Sequence, residues 1–208
     1  GDISDCMADG ITVSGGKSIG GIVGNACIVT GCIANNITVS GSAVCAGGIA
    51  GTAYGVELFN SGEKPHYAGG SIIGCGVRTF TSTAENSGGI VGTATAHNVS
   101  AYIKSCYAAN IYLNGTNNGG IAGADGNENG HKILYCIVDN ANNYPVIGRR
   151  TRSSAKTMIL SVPADTGLTV EGVLSVLNAK SSGYSYWERS DNVNGGYPYP
   201  CRIFAERN

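Results

Sequence analysis

A five-residue motif, Gly-Gly-Ile-Val/Ala-Gly, recurs along the chain and restricts its fold more than any other feature. It occupies positions 20–24, 47–51, 88–92 and 119–123, and Tyr144-Pro145-Val146-Ile147-Gly148 reads as a worn fifth copy. The first glycines, at 20, 47, 88 and 119, lie 27, 41 and 31 residues apart. Self-similarity at such a period is the mark of stacked structural repeats.

A second feature runs in phase with the first. Cys6, Cys32, Cys75, Cys106 and Cys136 take one equivalent position in successive repeats. Three residues before them stand Ile3, Val29, Ile72, Ile103 and Ile133, and two after them Ala8, Ala34, Val77, Ala108 and Val138. Further columns follow: Ile11, Ile37, Phe80 and Ile111, then Val13, Val39, Ser82 and Leu113. Thr12, Thr38, Thr81 and Tyr112 alternate with them, a period of two that belongs to strands with one face inside. Between the runs sit polar corners, Asp9-Gly10, Asn35-Asn36, Arg78-Thr79, Ala109-Asn110 and Asp139-Asn140, rich in residues that tolerate left-handed backbone. One repeat thus reads as strand, corner, strand, glycine-rich turn, a short strand on the glycine motif, and a return.

Three strands per coil of about thirty residues predict an all-β right-handed parallel β-helix, a solenoid of about five coils. A β-sandwich would not place identical residues in register at this period. Free cysteine packs as a small hydrophobe, so the column reads as a ladder of buried thiols; disulfides along the stack are the alternative. Cys27, Cys45 and Cys201 stand outside the column.

Coils differ mainly in the return after the motif. From Gly24 to Val29, Gly51 to Ile72, Gly92 to Ile103 and Gly123 to Ile133 the steps are 5, 21, 11 and 10 residues. Loops on a rigid scaffold are where binding residues gather. This corner, Tyr54–Gly70, Thr93–Ala101 and Ala124–His131, holds Tyr54, Phe59, His66, Tyr67, His97 and His131 as candidate ligand-binding residues. Imidazoles can ligate metals, but loops are also where solvated histidines sit, and no metal or cofactor is assigned. The in-register corner acids are Asp9 and Asp139 alone, and Asp125 and Glu128 fall on a Gly/Asn-rich loop. No carboxylate pair lines up for glycosidic chemistry, and no catalytic residue is assigned.

The register ends after Gly148, dividing a repeat region at 1–150 from a last coil and C-terminal cap at 151–208 within one continuous domain. Met158–Val162 reads as a final strand. Val170, Val173, Leu174 and Leu177 line one face of a short helix over Val170–Ala179, with Thr169 as its N-cap. Such a helix would close the open apolar end of the solenoid.

With a net charge of −1, the chain lacks the basic face a nucleic-acid partner needs. No apolar run reaches the 18 or so residues of a membrane span. Gly1 opens in mid-pattern, as in a mature or truncated piece of something longer.

The glycine motifs, with Cys106-Tyr107-Ala108 upstream, resemble the GLUG-motif repeats of bacterial surface proteins, including regions of IgA-specific metallopeptidases and adhesin-like proteins. The tail extends the likeness through Val176-Leu177-Asn178, Trp187, Asp191-Asn192 and Asn194-Gly195-Gly196-Tyr197-Pro198. This sequence departs from the motif's name in carrying Ile for Leu, and in the long insertion after Gly51. The peptidase zinc motif His-Glu-x-x-His is absent, so that activity is not carried over. The resemblance implies a non-catalytic extracellular or cell-surface module, part of a larger protein, acting in adhesion, display or binding of a surface glycan or protein. The alternative is a carbohydrate-active parallel β-helix enzyme, a lyase or hydrolase, which clustered carboxylates in a groove would favour.

Overall fold

The computed structural model describes residues 2–54, 56–58, 66–68, 70–95, 101–125, 131–138, 142–150, 159–160, 170–179 and 186–202, with backbone alone at 56–58, 66–68, 101, 131, 159–160 and 170–171. These residues form a mostly-β, solenoid-like architecture in which equivalent strands of successive repeats pair in parallel. There are four such sheets.

The first contains Asp2–Ser4, Ile28–Thr30, Ser71–Ile73, Ala101–Lys104, His131–Leu134 and Ile159–Leu160. The second contains Met7–Asp9 and Thr12–Ser14, then Ile33–Ser40, Gly76–Ser82, Tyr107–Leu113 and Ile137–Val138. The third is Ser18–Gly20, Cys45–Gly47, Asn86–Gly88 and Asn117–Gly119. The fourth is Val23–Ala26, Ala50–Tyr54, Val91–Thr95, Ala122–Asp125 and Ile147–Arg150.

The columns expected from the spacing are the observed register. Ile3, Val29, Ile72, Ile103 and Ile133 lie side by side, and Ile159 joins as a sixth member. Ala8, Ala34, Val77, Ala108 and Val138 do the same one sheet on. A one-residue slip would turn every inward side chain outward, so identical residues in register hold both the core and the pairing. The core runs through all four sheets, with Val29, Ile37, Ile72, Phe80, Ile103 and Ile133 buried.

The polar corner is a single left-handed residue, with φ of 68° at Gly10, 52° at Asn36, 59° at Thr79 and 54° at Asn110. In the second, third and fourth repeats this bend is shallow enough that the two predicted strands run on as one, as in Ile33–Ser40. A second left-handed column precedes the cysteines, at Asp5, Gly31, Gly74, Ser105 and Tyr135. It turns the chain from the first sheet into the second.

The glycine motif proves to be a turn between two sheets and not a strand of its own, so each full repeat contributes to four sheets where three strands were expected. Gly47 ends a strand of the third sheet and Ala50 begins one of the fourth. At this turn the amides of Ile90 and Val91 both donate to the Ile121 carbonyl, each at 3.0 Å. In the worn copy the amides of Ile121 and Ala122 donate to the Val146 carbonyl at 3.0 and 3.1 Å, which establishes it as an equivalent turn. Tyr144 stands there in place of the first glycine, its hydroxyl accepting from the Leu113 amide at 2.9 Å and donating to the Leu113 carbonyl at 3.1 Å.

The helix spans Val170–Asn178, and Thr169 lies outside the described residues. Expected at the open end, it instead contacts the outer face of the second sheet. Leu177 and Trp187 are buried there with Tyr107, Ala109 and Ile137, forming an apolar cluster separate from the solenoid core. The physical reason lies in the sheet's alternation: Ala108 and Val138 point inward, leaving Tyr107, Ala109 and Ile137 as an outward apolar stripe to be covered.

Candidate functional site

The sequence-predicted residues fall at the junction between the fourth and first sheets, with different fates. Tyr54 ends the strand Ala50–Tyr54 and is 37% exposed. The long insertion builds an antiparallel arm, Val56–Leu58 against His66–Ala68, in which Leu58 pairs with His66 and Glu57 with Tyr67. His131 opens the first-sheet strand His131–Leu134, paired with Ala101. Phe59 and His97 lie outside the described residues. The backbone therefore places His66 and Tyr67 in one excursion, while Tyr54, in register with Thr95 at its base, and His131 belong to the stack itself.

Other residues singled out in the sequence resolve differently. Asp125, expected on a loop, ends a fourth-sheet strand, buried and in register with Arg150. Tyr102 lies on the first sheet with the Lys132 ammonium 5.4 Å from its ring centre. Tyr112 stays exposed in the threonine column, beside Thr81, which has Thr38 on its other side. Tyr107, by contrast, is withdrawn from solvent. Among the described residues no group of three or more His, Cys, Asp or Glu is placed to hold a metal ion.

What sequence reasoning missed is a built polar site under the C-terminal segment. Tyr107 lays its ring over Gly76, where a Cβ would collide with it. Its hydroxyl accepts from Asn194 Nδ2 at 3.0 Å, and that same amide donates to the Pro198 carbonyl at 2.9 Å. Asn35 Nδ2 donates to Asn194 Oδ1 at 2.8 Å, and Arg78 donates to the Asn194 carbonyl at 3.3 Å. The Arg78 guanidinium also lies 5.4 Å from the ring centre of Tyr197, which stacks on Tyr107 and accepts from Asn110 Nδ2 at 3.2 Å. Three adjacent coils thus converge on one asparagine. Asn194 adopts φ 51° and Gly195 φ 61°, and a Cβ on Gly195 would strike Arg78. The Asn-Gly-Gly-Tyr-Pro run is the clasp that ties the tail across the second sheet. Its partners Asn35, Arg78 and Asn110 look in sequence like ordinary corner residues.

All eight cysteines are free thiols. Cys32, Cys75, Cys106 and Cys136 are buried, as the ladder reading expected, but Cys6 is exposed at the stack's first strand edge. Burial, ahead of the hydrogen bonds with neighbouring thiols, pushes Cys75 and Cys136 well above the ordinary value of 9.0. Below pH 9 these thiols are protonated in both the folded and unfolded chain and add no pH dependence. Above it the unfolded chain releases protons that these two folded thiols keep, so their contribution to stability falls as pH rises. Tyr107, also raised by burial, adds to the loss above its ordinary value of 10.0. The urea midpoint is expected to be lower at pH 10 than at pH 8.5; an unchanged midpoint at pH 10 would contradict the sealed ladder.

Comparison of the chain with protein-family models, with curated proteins and with solved structures finds no match in any of the three.

Proposed function

We propose that this chain is a non-catalytic repeat module of a secreted or surface-exposed bacterial protein, of the GLUG-motif kind, that displays a binding arm on a rigid stack. The observation that carries the reading is the location of the long insertion. Inward columns are committed to packing and the motif glycines to close backbone approach. The outer face of the second sheet is partly taken up by the tail. The junction between the fourth and first sheets is where return lengths vary and where the antiparallel arm leaves the stack. A solenoid of about five coils would wind right-handed, because twisted strands joined in parallel pack back only that way. The stack would serve as a spacer, and the arm, with Tyr54, His66 and Tyr67 on or beside it, would meet a surface glycan or protein.

The reading is tested by screening the intact chain against glycan and host-protein arrays, then replacing residues 55–69 by a short Gly-Ser turn. The variant is expected to keep its unfolding midpoint, since lengthening or shortening a surface loop twofold changes closure entropy by only about 0.6 kcal/mol. It is expected to lose most of the binding found in the screen. Undiminished binding by the folded variant would move the site to another face, and turnover of an arrayed glycan would replace the proposal with an enzymatic one.

A further inference from the structure

The cysteine column repeats one local geometry in every coil. Each thiol donates to the carbonyl two residues back: Cys6 to Ser4 at 3.2 Å, Cys32 to Thr30 at 3.3 Å, Cys75 to Ile73 at 3.4 Å, Cys106 to Lys104 at 3.2 Å and Cys136 to Leu134 at 3.4 Å. The same hydrogen bond five times over means the same side-chain direction five times over. Neighbouring sulfurs are then separated by the strand spacing itself, about 4.7–4.9 Å. The amide of Cys6 meets Cys32 Sγ at 3.4 Å, and the amide of Cys32 meets Cys75 Sγ at 3.5 Å, so each sulfur seats under the preceding coil.

Only certain bonds suit that spacing. A disulfide needs its sulfurs about 2.05 Å apart, so Cys6 and Cys32 would have to close by about 3 Å from the strand spacing. Closing that gap means turning at least one side chain out of the shared direction and breaking its hydrogen bond to the carbonyl two residues back. A metal ion held linearly between two thiolates, with bonds no longer than the roughly 2.3 Å of zinc thiolates, spans at most about 4.6 Å. That is nearly the distance the stack already provides. Thiolates are soft donors that select Cu(I) over harder ions. A linear ion needs two ligands, whereas the described residues offer no group of three or more for a tetrahedral one. Access separates the pairs: Cys75, Cys106 and Cys136 are sealed inside the stack, while Cys6 is open to solvent directly over Cys32.

We propose that Cys6 and Cys32 form a linear two-thiolate site for one monovalent thiophilic cation, Cu(I), entered from the exposed end of the column. Two sulfur–metal bonds form, both thiol protons pass to solvent, and no electron is exchanged. The site is independent of the arm and of any partner the arm binds.

The test is an anaerobic titration of the reduced, full chain with Cu(I) against a chromophoric Cu(I) chelator. One equivalent is expected to bind, with X-ray absorption showing two sulfur neighbours. Cys6→Ser, an exposed and near-isosteric change, is expected to keep the unfolding midpoint. It should weaken binding by at least the factor of about 100 that lost outer-shell support can cost a metal site. Cys201→Ser should leave binding unchanged, and Zn(II) at equal concentration should not displace the ion. Binding that survives Cys6→Ser, or yields to Zn(II), would overturn the assignment. So would a chain that instead oxidises to a Cys6–Cys32 disulfide with glutathione disulfide and then takes up no Cu(I) after reduction.

Discussion

Replacing Gly48 by alanine is expected to destabilise the chain by about 3–4 kcal/mol, at or above the usual ceiling for overpacking one methyl group into a core. The added Cβ would fall about 2.5 Å from the Gly89 carbonyl and from Val77 Cγ1. Neither neighbour can retreat. The carbonyl belongs to the next coil's turn, and Val77 is buried in the column between Ala34 and Ala108. Gly48 does not lie in the left-handed region, so the cost is steric and not conformational. Gly10 provides the contrasting control, with φ 68° and no atom within 4 Å of the place a Cβ would take. Gly10→Ala should cost only the left-handed penalty of about 1–2 kcal/mol. Urea midpoints of the two variants against the parent chain measure both. A Gly48→Ala loss no larger than that of Gly10→Ala would mean that the motif glycines are kept for backbone freedom after all.

That contrast also shows why part of the fold is legible from residues alone. A parallel stack places like over like, so a column such as Ile3, Val29, Ile72, Ile103 and Ile133 can be read directly from spacing. The left-handed corner at Asn36 and Asn110 is equally readable, because asparagine tolerates that backbone. The matching corner before each cysteine is not, since Ser105 and Tyr135 occupy it without any compositional signal. The glycine motif is conspicuous yet reads as a strand, because a turn made by close approach looks the same in sequence as a flat glycine-rich strand. Spacing locates the junction where the return lengths vary, but nothing in it announces the antiparallel arm. The clasp on Asn194 is least visible of all. Its contacts span up to 159 residues, from Asn35 to Asn194, and no periodicity links a tail to the stack it crosses.

The clasp leads to the second large effect. Trp187→Ala is expected to cost about 3–5 kcal/mol, the range for deleting a fully buried aromatic side chain, and to do so in the tail rather than in the stack. Trp187 is 1% exposed, its indole N–H donates to the Ser105 carbonyl at 3.1 Å, and its ring meets Tyr107 edge-on with centres 5.3 Å apart. Its backbone is bound on both sides by Asn178, which accepts from the Trp187 amide at 2.8 Å and donates to its carbonyl at 3.0 Å. One side chain therefore joins the helix Val170–Asn178, the tail and the second sheet. The cluster it anchors is separate from the solenoid core, and the strand bearing Tyr107 remains paired through its amide to the Cys75 carbonyl at 3.1 Å. Cutting the anchor should free the tail to proteolysis while the Tyr107 amide stays protected from hydrogen exchange. If the variant instead loses both protections together in one cooperative transition, the tail is an integral part of the stack, and the two clusters unfold as one.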